Sequence, residues 1–375
     1  MNRFRLIAWV LIGILLVSGC TRKFRLKRDE IIPESSWQYA RGDAAATAVS
    51  ETGFSGVLNV KWEDRISEAP IGPLTIGAGR LIIPGSRGRI YFYEPSTGKF
   101  RGRHKERSGA QTGLVVVDSL AYFSVAPPKD YFVCFNLHTR ESLWKVRLKD
   151  VSGTPIIVEN NVYVASSLGS VYCYNRLTGA MIWRDSVGGN SLGGPSFSEG
   201  TVYFPFDDGW VYGFDAGNGK RIIAVNLQQP LVSKVVVNDR VYVTAIEGGV
   251  YAVEKNDGST VWSRQFDRSI WTAPAVDDRC LYFGDSDGVL HALDKRDGTT
   301  VWEFKTEGVI LSSPILVGDK VVFASLDRHV YCLDKADGRM ISRRFFKHEI
   351  RFPAVTDGTN VFVVLQNGSV QCLGE

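Results

Sequence analysis

The sequence predicts an all-β fold, an eight-bladed β-propeller with a composite closing blade formed by both termini. Three observations carry that expectation. First, a phrase that reads Val330-Tyr-Cys-Leu-Asp-Lys-Ala-Asp-Gly338 recurs upstream, ending at Gly298, Gly258, Gly219, Gly179 and Gly98, with a degenerate copy ending at Arg140. The anchors repeat every 39 to 42 residues, a period that signals a repeat architecture. Second, four residues after the anchor stands a tryptophan in four copies, Trp144, Trp183, Trp262 and Trp302. Third, the final copy, Gly368-Ser-Val-Gln-Cys-Leu373, has no tryptophan strand after it, whereas residues 57–62 carry Trp62 with no phrase before it. Joining these two fragments completes an eighth blade and removes the exposed sheet edges that invite aggregation.

Within one period the elements follow in order. A strand opens near a proline, after a small residue in Gly72-Pro73, Thr154-Pro155, Gly194-Pro195, Ala273-Pro274 and Ser313-Pro314 and after a phenylalanine in Phe352-Pro353. Proline cannot donate to a ladder, so it suits the start of a strand near a channel or rim. A second strand follows, such as VYFPF or CLYFG, and then a turn carrying Asp208-Gly209, Glu247-Gly248, Asp287-Gly288 or Asn367-Gly368. The phrase itself is the third strand. Tyr172, Tyr212, Tyr251 and Tyr331 alternate with Tyr174, Phe214, Val253 and Leu333, so both faces are apolar, as in a sheet buried between two others. An Asp, Asn or Glu then caps a hairpin, and the anchor glycine takes a left-handed conformation that would cost an alanine roughly 1 kcal/mol or more. The tryptophan strand closes the blade. Four strands and no helix per period make a propeller blade.

Residues 1–19 stand outside that pattern. Arg3 and Arg5 precede an apolar run from Leu6 to Val17, too short to span a bilayer and suited to a signal peptide. The run ends at Val17-Ser18-Gly19-Cys20, which resembles the lipobox of bacterial lipoproteins; the resemblance implies cleavage before Cys20 and lipidation (palmitate among the acyl groups) at that cysteine. Thr21 is not the aspartate that resembles an inner-membrane retention signal, so outer-membrane sorting, on the periplasmic face, is expected. Residues 20–53 form a tether and docking segment, and residues 54–375 the propeller. Arg22, Lys23, Arg25, Lys27 and Arg28 are placed either to lie against anionic headgroups, at roughly 1 kcal/mol each, or to be a solvated linker. The triplet Arg41-Gly42-Asp43 is expected to pack and cap rather than to bind an integrin.

Charge excludes one class of partner. The formal net charge is +4; it falls to +2 without Arg3 and Arg5 and to about −3 without the five basic tether residues. Nucleic-acid binding, which needs a strongly basic face, is disfavoured.

Chemistry is sparse. Cys134, Cys173, Cys332 and Cys372 share one repeat slot with Gly213, Ala252 and Ala292, which marks a small-residue packing position. Equivalent strands of neighbouring blades lie about 10 Å apart, beyond disulfide reach, so no disulfide is expected. Cys280 is expected to be buried. His104, His138, His291, His329 and His348 have no metal-ligand spacing, and His291 fills a tyrosine slot. No nucleophile elbow, Walker loop or His-Glu-x-x-His is present, and the glycines of residues 188–194 lack the strand-to-helix context of a phosphate loop. Neither a cofactor nor a metal nor catalysis is expected.

The repeat, in form A/V-x-D-x-x-x-G-x-x-x-W, is similar to the pyrroloquinoline quinone (PQQ)-like repeat over residues 57–375. With the lipobox and tether, the chain resembles the BamB family of lipoproteins of the β-barrel assembly machinery. That resemblance implies a non-catalytic, monomeric scaffold held to the membrane by its lipid, with an envelope protein partner such as a BamA-like barrel assembly protein. Two alternatives stand beside it: a propeller lipoprotein binding a small ligand or polysaccharide in its central funnel, and a relative of the PQQ-dependent dehydrogenases. The latter resemble much longer chains with a vicinal cysteine pair, which is missing here.

The resemblance also implies where a partner binds. In BamB-like proteins consecutive interblade loops, which resemble a Leu-x-Leu-Arg run and an Asp-x-Asp run, contact the partner; the matching loops here are residues 184–194 and 224–233. Neither run is present, and the apolar candidates for contact are Leu192, Leu227 and Leu231. Trp210, outside the tryptophan slot after Asp208-Gly209, is expected on a rim as a fourth contact, since tryptophan is enriched at binding hot spots.

Overall fold

The computed structural model describes residues 23–24, 41–51, 53–106 and 113–375. Cys20 and the basic residues Arg22, Arg25, Lys27 and Arg28 lie outside these. The described chain forms eight antiparallel sheets arranged in a ring, each of four consecutive strands apart from two departures at the chain's ends. The first blade runs through Thr75–Gly77, Arg80–Pro84, Arg89–Tyr93 and Phe100–Lys105 from the axis outwards. In the eighth, Val355–Thr356, Val361–Val364 and Ser369–Gly374 are completed by Asn59–Arg65 from the other end of the chain, with Trp62 opposite Cys372. The composite blade expected from the sequence is therefore present. Among the described residues no helix is long and apolar enough to cross a membrane.

The tryptophan slot explains how neighbouring blades lock together. The indole N–H of Trp144 donates to the Arg176 carbonyl of the next blade at 2.8 Å; Trp183 does so to Ala216, Trp262 to Lys295, Trp302 to Lys335 and Trp62 to Pro95, at 2.7–3.0 Å. Each ring lies on the anchor glycine of that neighbour. At Gly338, with φ +73°, an added Cβ would sit 2.6 Å from the Trp302 ring, so the glycine is required by both conformation and space. Buried tyrosines of the second strands reach the same carbonyls, Tyr122 to Arg176 at 3.2 Å and Tyr163 to Ala216 at 3.0 Å. One turn carbonyl thus accepts two donors from the preceding blade, which satisfies polar groups that burial would otherwise leave costly.

Across its own sheet each slot tryptophan faces a small residue: Cys134, Cys173, Ala252, Ala292 or Cys372. These cysteines and Cys280 are buried and free, and burial pushes the Cys134 thiol up to about 11. The first blade inverts the pair, with Phe92 opposite Gly102. There the hole over Gly102 is filled from the tether: Phe24 stacks on Phe92 with ring centroids 3.9 Å apart, and its N–H donates to the Arg103 carbonyl at 3.0 Å.

The docking segment enters the channel. Residues 44–50 cross the inner strands of four blades in turn: the carbonyls of Ala44, Ala45, Thr47 and Ala48 accept from the N–H groups of Phe197, Val237, Val276 and Leu316. Val49–Ser50 ends as a short strand parallel to Ile315–Val317, the fifth strand of that sheet. The Arg41 guanidinium, buried, donates to the carbonyls of Pro274 and Pro314, and the Asp43 carboxylate accepts from the N–H and hydroxyl of Thr47. The triplet caps and packs, as its residue types suggested, and it does so as a plug.

Candidate functional site

The channel opens on one face as a funnel whose floor is this plug. The cavity, about 410 Å³, is lined by Arg41, Lys234, Leu192, Trp271, Phe352 and Pro353 among others. The prolines therefore stand at the channel, where a strand start without a donor is tolerated.

Alignment of the repeats explains the lining. Two consecutive positions shortly precede the inner strand in five blades: Ser191-Leu192, Leu231-Val232, Ile270-Trp271, Ile310-Leu311 and Ile350-Arg351. The first of each pair is buried and the second is half-buried or exposed, with Leu192, Val232 and Trp271 lining the mouth of the cavity. Leu192 and Trp271 are each 47% exposed, with Val232 half-buried between them and Leu311 half-buried on the blade after Trp271. Four consecutive blades thus present an apolar arc, continued on one flank by Arg351 and Phe352.

The expected contacts divide accordingly. Leu192 is at the mouth, and Trp210 is half-buried on the same face, stacked on Tyr212 at 5.3 Å. Leu227 and Leu231 are not available to a partner: they pack with Val211, Val235 and Val243 in the core between blades. The reason is in the backbone. The N–H of Leu227 donates to the Gly209 carbonyl and that of Leu231 to Phe206, so the loop folds down onto the neighbouring turn and buries both side chains. Trp271, overlooked in the sequence, is signalled by its register: it follows the buried slot that Leu231 and Ile270 share.

The funnel's charge is unusual. In the fifth blade the slot that Gly194, Ala273 and Ser313 fill elsewhere is occupied by Lys234, whose side chain is buried and whose Nζ has no hydrogen-bond partner. Burial, and then the charge of Arg41, pulls its pKa down to about 7, while Asp43 opposes the shift. Burial also lowers the pKa of Arg41, again opposed by Asp43. Ser191 presents a second unpartnered buried group, its Oγ, in a slot that other blades fill with isoleucine or leucine.

Elsewhere the titratable groups are structural. His291 is held between Asp285 at 3.0 Å and Glu303 at 2.9 Å and packs on Phe266 and Phe283. His329 bonds Asp327 at 3.2 Å. Among the described residues no group of three or more His, Cys, Asp or Glu is arranged to hold a metal ion.

Comparison with known proteins gives the family. The profile described as "Outer membrane protein assembly factor BamB" matches residues 128–222 and 207–374, most of the chain. The chain belongs to this family. A BamB of Marinobacter adhaerens is 30% identical over 149 residues, 37% of this chain and 37% of that protein, so the match spans little more than a third of the relative's length. The crystal structure of BamB from Moraxella catarrhalis superposes with a TM-score of 0.72 at 17% identity, covering 85% of this chain and all of that one. The same architecture serves enzymes: a quinohemoprotein alcohol dehydrogenase from Comamonas testosteroni gives a TM-score of 0.77 at 10% identity, over 92% of this chain and 81% of that one. At such identities the likeness concerns the fold alone.

Proposed function

We propose that the chain is an outer-membrane lipoprotein, anchored through Cys20 on the periplasmic face, that acts without catalysis as a scaffold in the assembly of β-barrel outer-membrane proteins. Its partner is an envelope protein of the BamA-like barrel assembly type. Family membership supports the process, and the observation that carries the binding mode is the apolar arc of Leu192, Val232, Trp271 and Leu311 around the funnel. Blades locked by tryptophan hold this arc rigidly, and rigid aromatic or aliphatic groups at the centre of a face are the usual anchors of a protein interface. Leu192→Asp and Trp271→Asp, each confirmed to melt like the parent, should abolish co-purification of a barrel assembly protein from detergent-solubilised envelopes. Retention of that partner by both variants would place binding on another surface.

A second reading has its own observation, the unpartnered ammonium of Lys234 beneath an open cavity. It favours an anionic small ligand, a quinone carboxylate or an acidic sugar, in the funnel. Such a ligand would raise the melting temperature of the parent by binding linkage and leave Lys234→Met unmoved.

A further inference from the structure

We propose that the outer edge of the first blade faces the membrane and rests on an anionic phospholipid surface, so that the propeller stands edge-on with both loop faces open to partners. The proposal rests on the reading that Cys20 carries lipid, and two independent observations support it.

The first is where the tether meets the propeller. Phe24 is 5% exposed, stacked on Phe92 over the space that Gly102 leaves free, while the backbone of Lys23 forms a parallel β-bridge with that of Arg103 and Lys23 remains exposed. This fixes the chain four residues after position 20 against the outermost strand, and four extended residues reach at most about 14 Å. A lipid at position 20 therefore keeps this edge near the bilayer, whatever the other blades do.

The second is charge. The outer strand Phe100–Lys105 carries Arg101, Arg103 and Lys105 and no acid. None of the other seven outer strands has more than two cations; Asn59–Arg65 and Glu141–Arg147 carry acids beside theirs, and Met340–Phe345 has Arg343 and Arg344 alone. Lys99 flanks the strand and Lys23 lies beside it, both exposed. Of the acids nearby, Glu94 pairs with Arg101 itself at 3.5 Å and so offsets one of the three, whereas Glu106 is engaged by His104 and Lys129 at 3.7 Å. Anionic headgroups attract such basic segments within a Debye length of the surface. The blade diametrically opposite, with its outer strand Thr260–Gln265, carries Arg264 as its one cation there.

The test uses the full chain purified from envelopes and reconstituted into vesicles of phosphatidylcholine, with or without phosphatidylglycerol. Probes are attached at Ser96→Cys and Asn256→Cys, exposed positions at the same point of the repeat in the first and fifth blades. The five propeller cysteines are buried, and any labelling at residue 20 is common to both variants and cancels. A headgroup-bound quencher should act several-fold more strongly on the probe at 96 than on that at 256 in phosphatidylglycerol vesicles. The difference should collapse in the triple variant Arg101→Glu, Arg103→Glu, Lys105→Glu. Equal quenching at the two positions of the otherwise unchanged chain overturns the proposal, even if the triple variant fails to fold; a difference that survives in a folded triple variant overturns the electrostatic part. The mass of the peptide containing residue 20 reads lipidation separately. A lipidated chain with equal quenching loses the edge proposal alone, whereas an unlipidated chain with unequal quenching loses the anchor and keeps the edge.

Discussion

The seams between blades are of two kinds. Between the fifth, sixth and seventh blades the contact is self-contained: Trp262 and Trp302 each cover the neighbour's glycine and donate to its turn carbonyl. At the first and seventh blades the slot holds Gly102 and Ser342, and the N-terminal segment supplies what is missing. Phe24 fills the first vacancy. At the second the Ser342 hydroxyl donates to the Gly56 carbonyl, Arg344 donates to that of Leu58, and Phe54 and Leu58 enter the core. The difference shows that the repeat stabilises the ring wherever it is intact, and that the chain before the first blade acts as closure rather than as a bare linker.

That contrast can be broken at three points. The largest effect is expected from deleting residues 368–375, which removes a strand paired on both sides, to Asn59–Arg65 and to Val361–Val364. The truncated chain should unfold or oligomerise, as read by thermal melting and size-exclusion chromatography; an unchanged melt would refute closure by the termini.

A smaller effect is expected at a single seam. Trp302→Ala should cost about 3–5 kcal/mol, the usual range for truncating a large aromatic in a core. Phe24→Ala should cost about 1–3 kcal/mol, because the tether regains conformational freedom when it undocks and offsets part of the lost packing. Trp210→Ala, at a half-buried rim position, should cost less than Trp302→Ala. Denaturant titration of the three variants orders them, and equal losses at Trp302 and Phe24 would mean that the tether is as integral to the ring as the repeat.

The third point lies in the channel and depends on pH. The Lys234 pKa falls from 10.5 to about 7 on folding, so the unfolded chain binds the extra proton between those values. Stability therefore rises with pH across that window, and the burial penalty is present in full below pH 7. The difference in stability between the parent and Lys234→Met should shrink from pH 7 towards pH 10, with the methionine variant the more stable at pH 7. A constant difference would mean that the ammonium is paired or solvated in solution.

Much of this molecule was legible in the sequence because its information is local and repeated. Strand alternation, the turn glycine and the tryptophan four residues later are properties of one blade, so period and composition sufficed to expect eight blades and the join of Trp62 to the last strand. The candidate site was legible in part. Leu192 was found as an apolar residue in a glycine-rich loop, yet Leu231 was misplaced at the surface, although its register with Ile270, Ile310 and Ile350 marks it as buried. Lys234 and Trp271 were missed because neither belongs to a chemical motif; each stands out as a departure from the repeat only once the inner strands are superposed.

The sequence by itself determined the blade, the number of blades and the closure between the two ends, since these follow from side-chain periodicity and turn chemistry within about forty residues. Only the tertiary structure decided where residues 41–50 run, what fills the space over Gly102, and that Arg41 and Lys234 share one buried funnel. These are contacts between segments far apart in the chain, from Phe24 with Arg103 to Arg41 with Pro314, and their energies depend on which cavities and unpaired carbonyls the finished ring leaves open. No local pattern encodes a vacancy that exists only after the ring has closed.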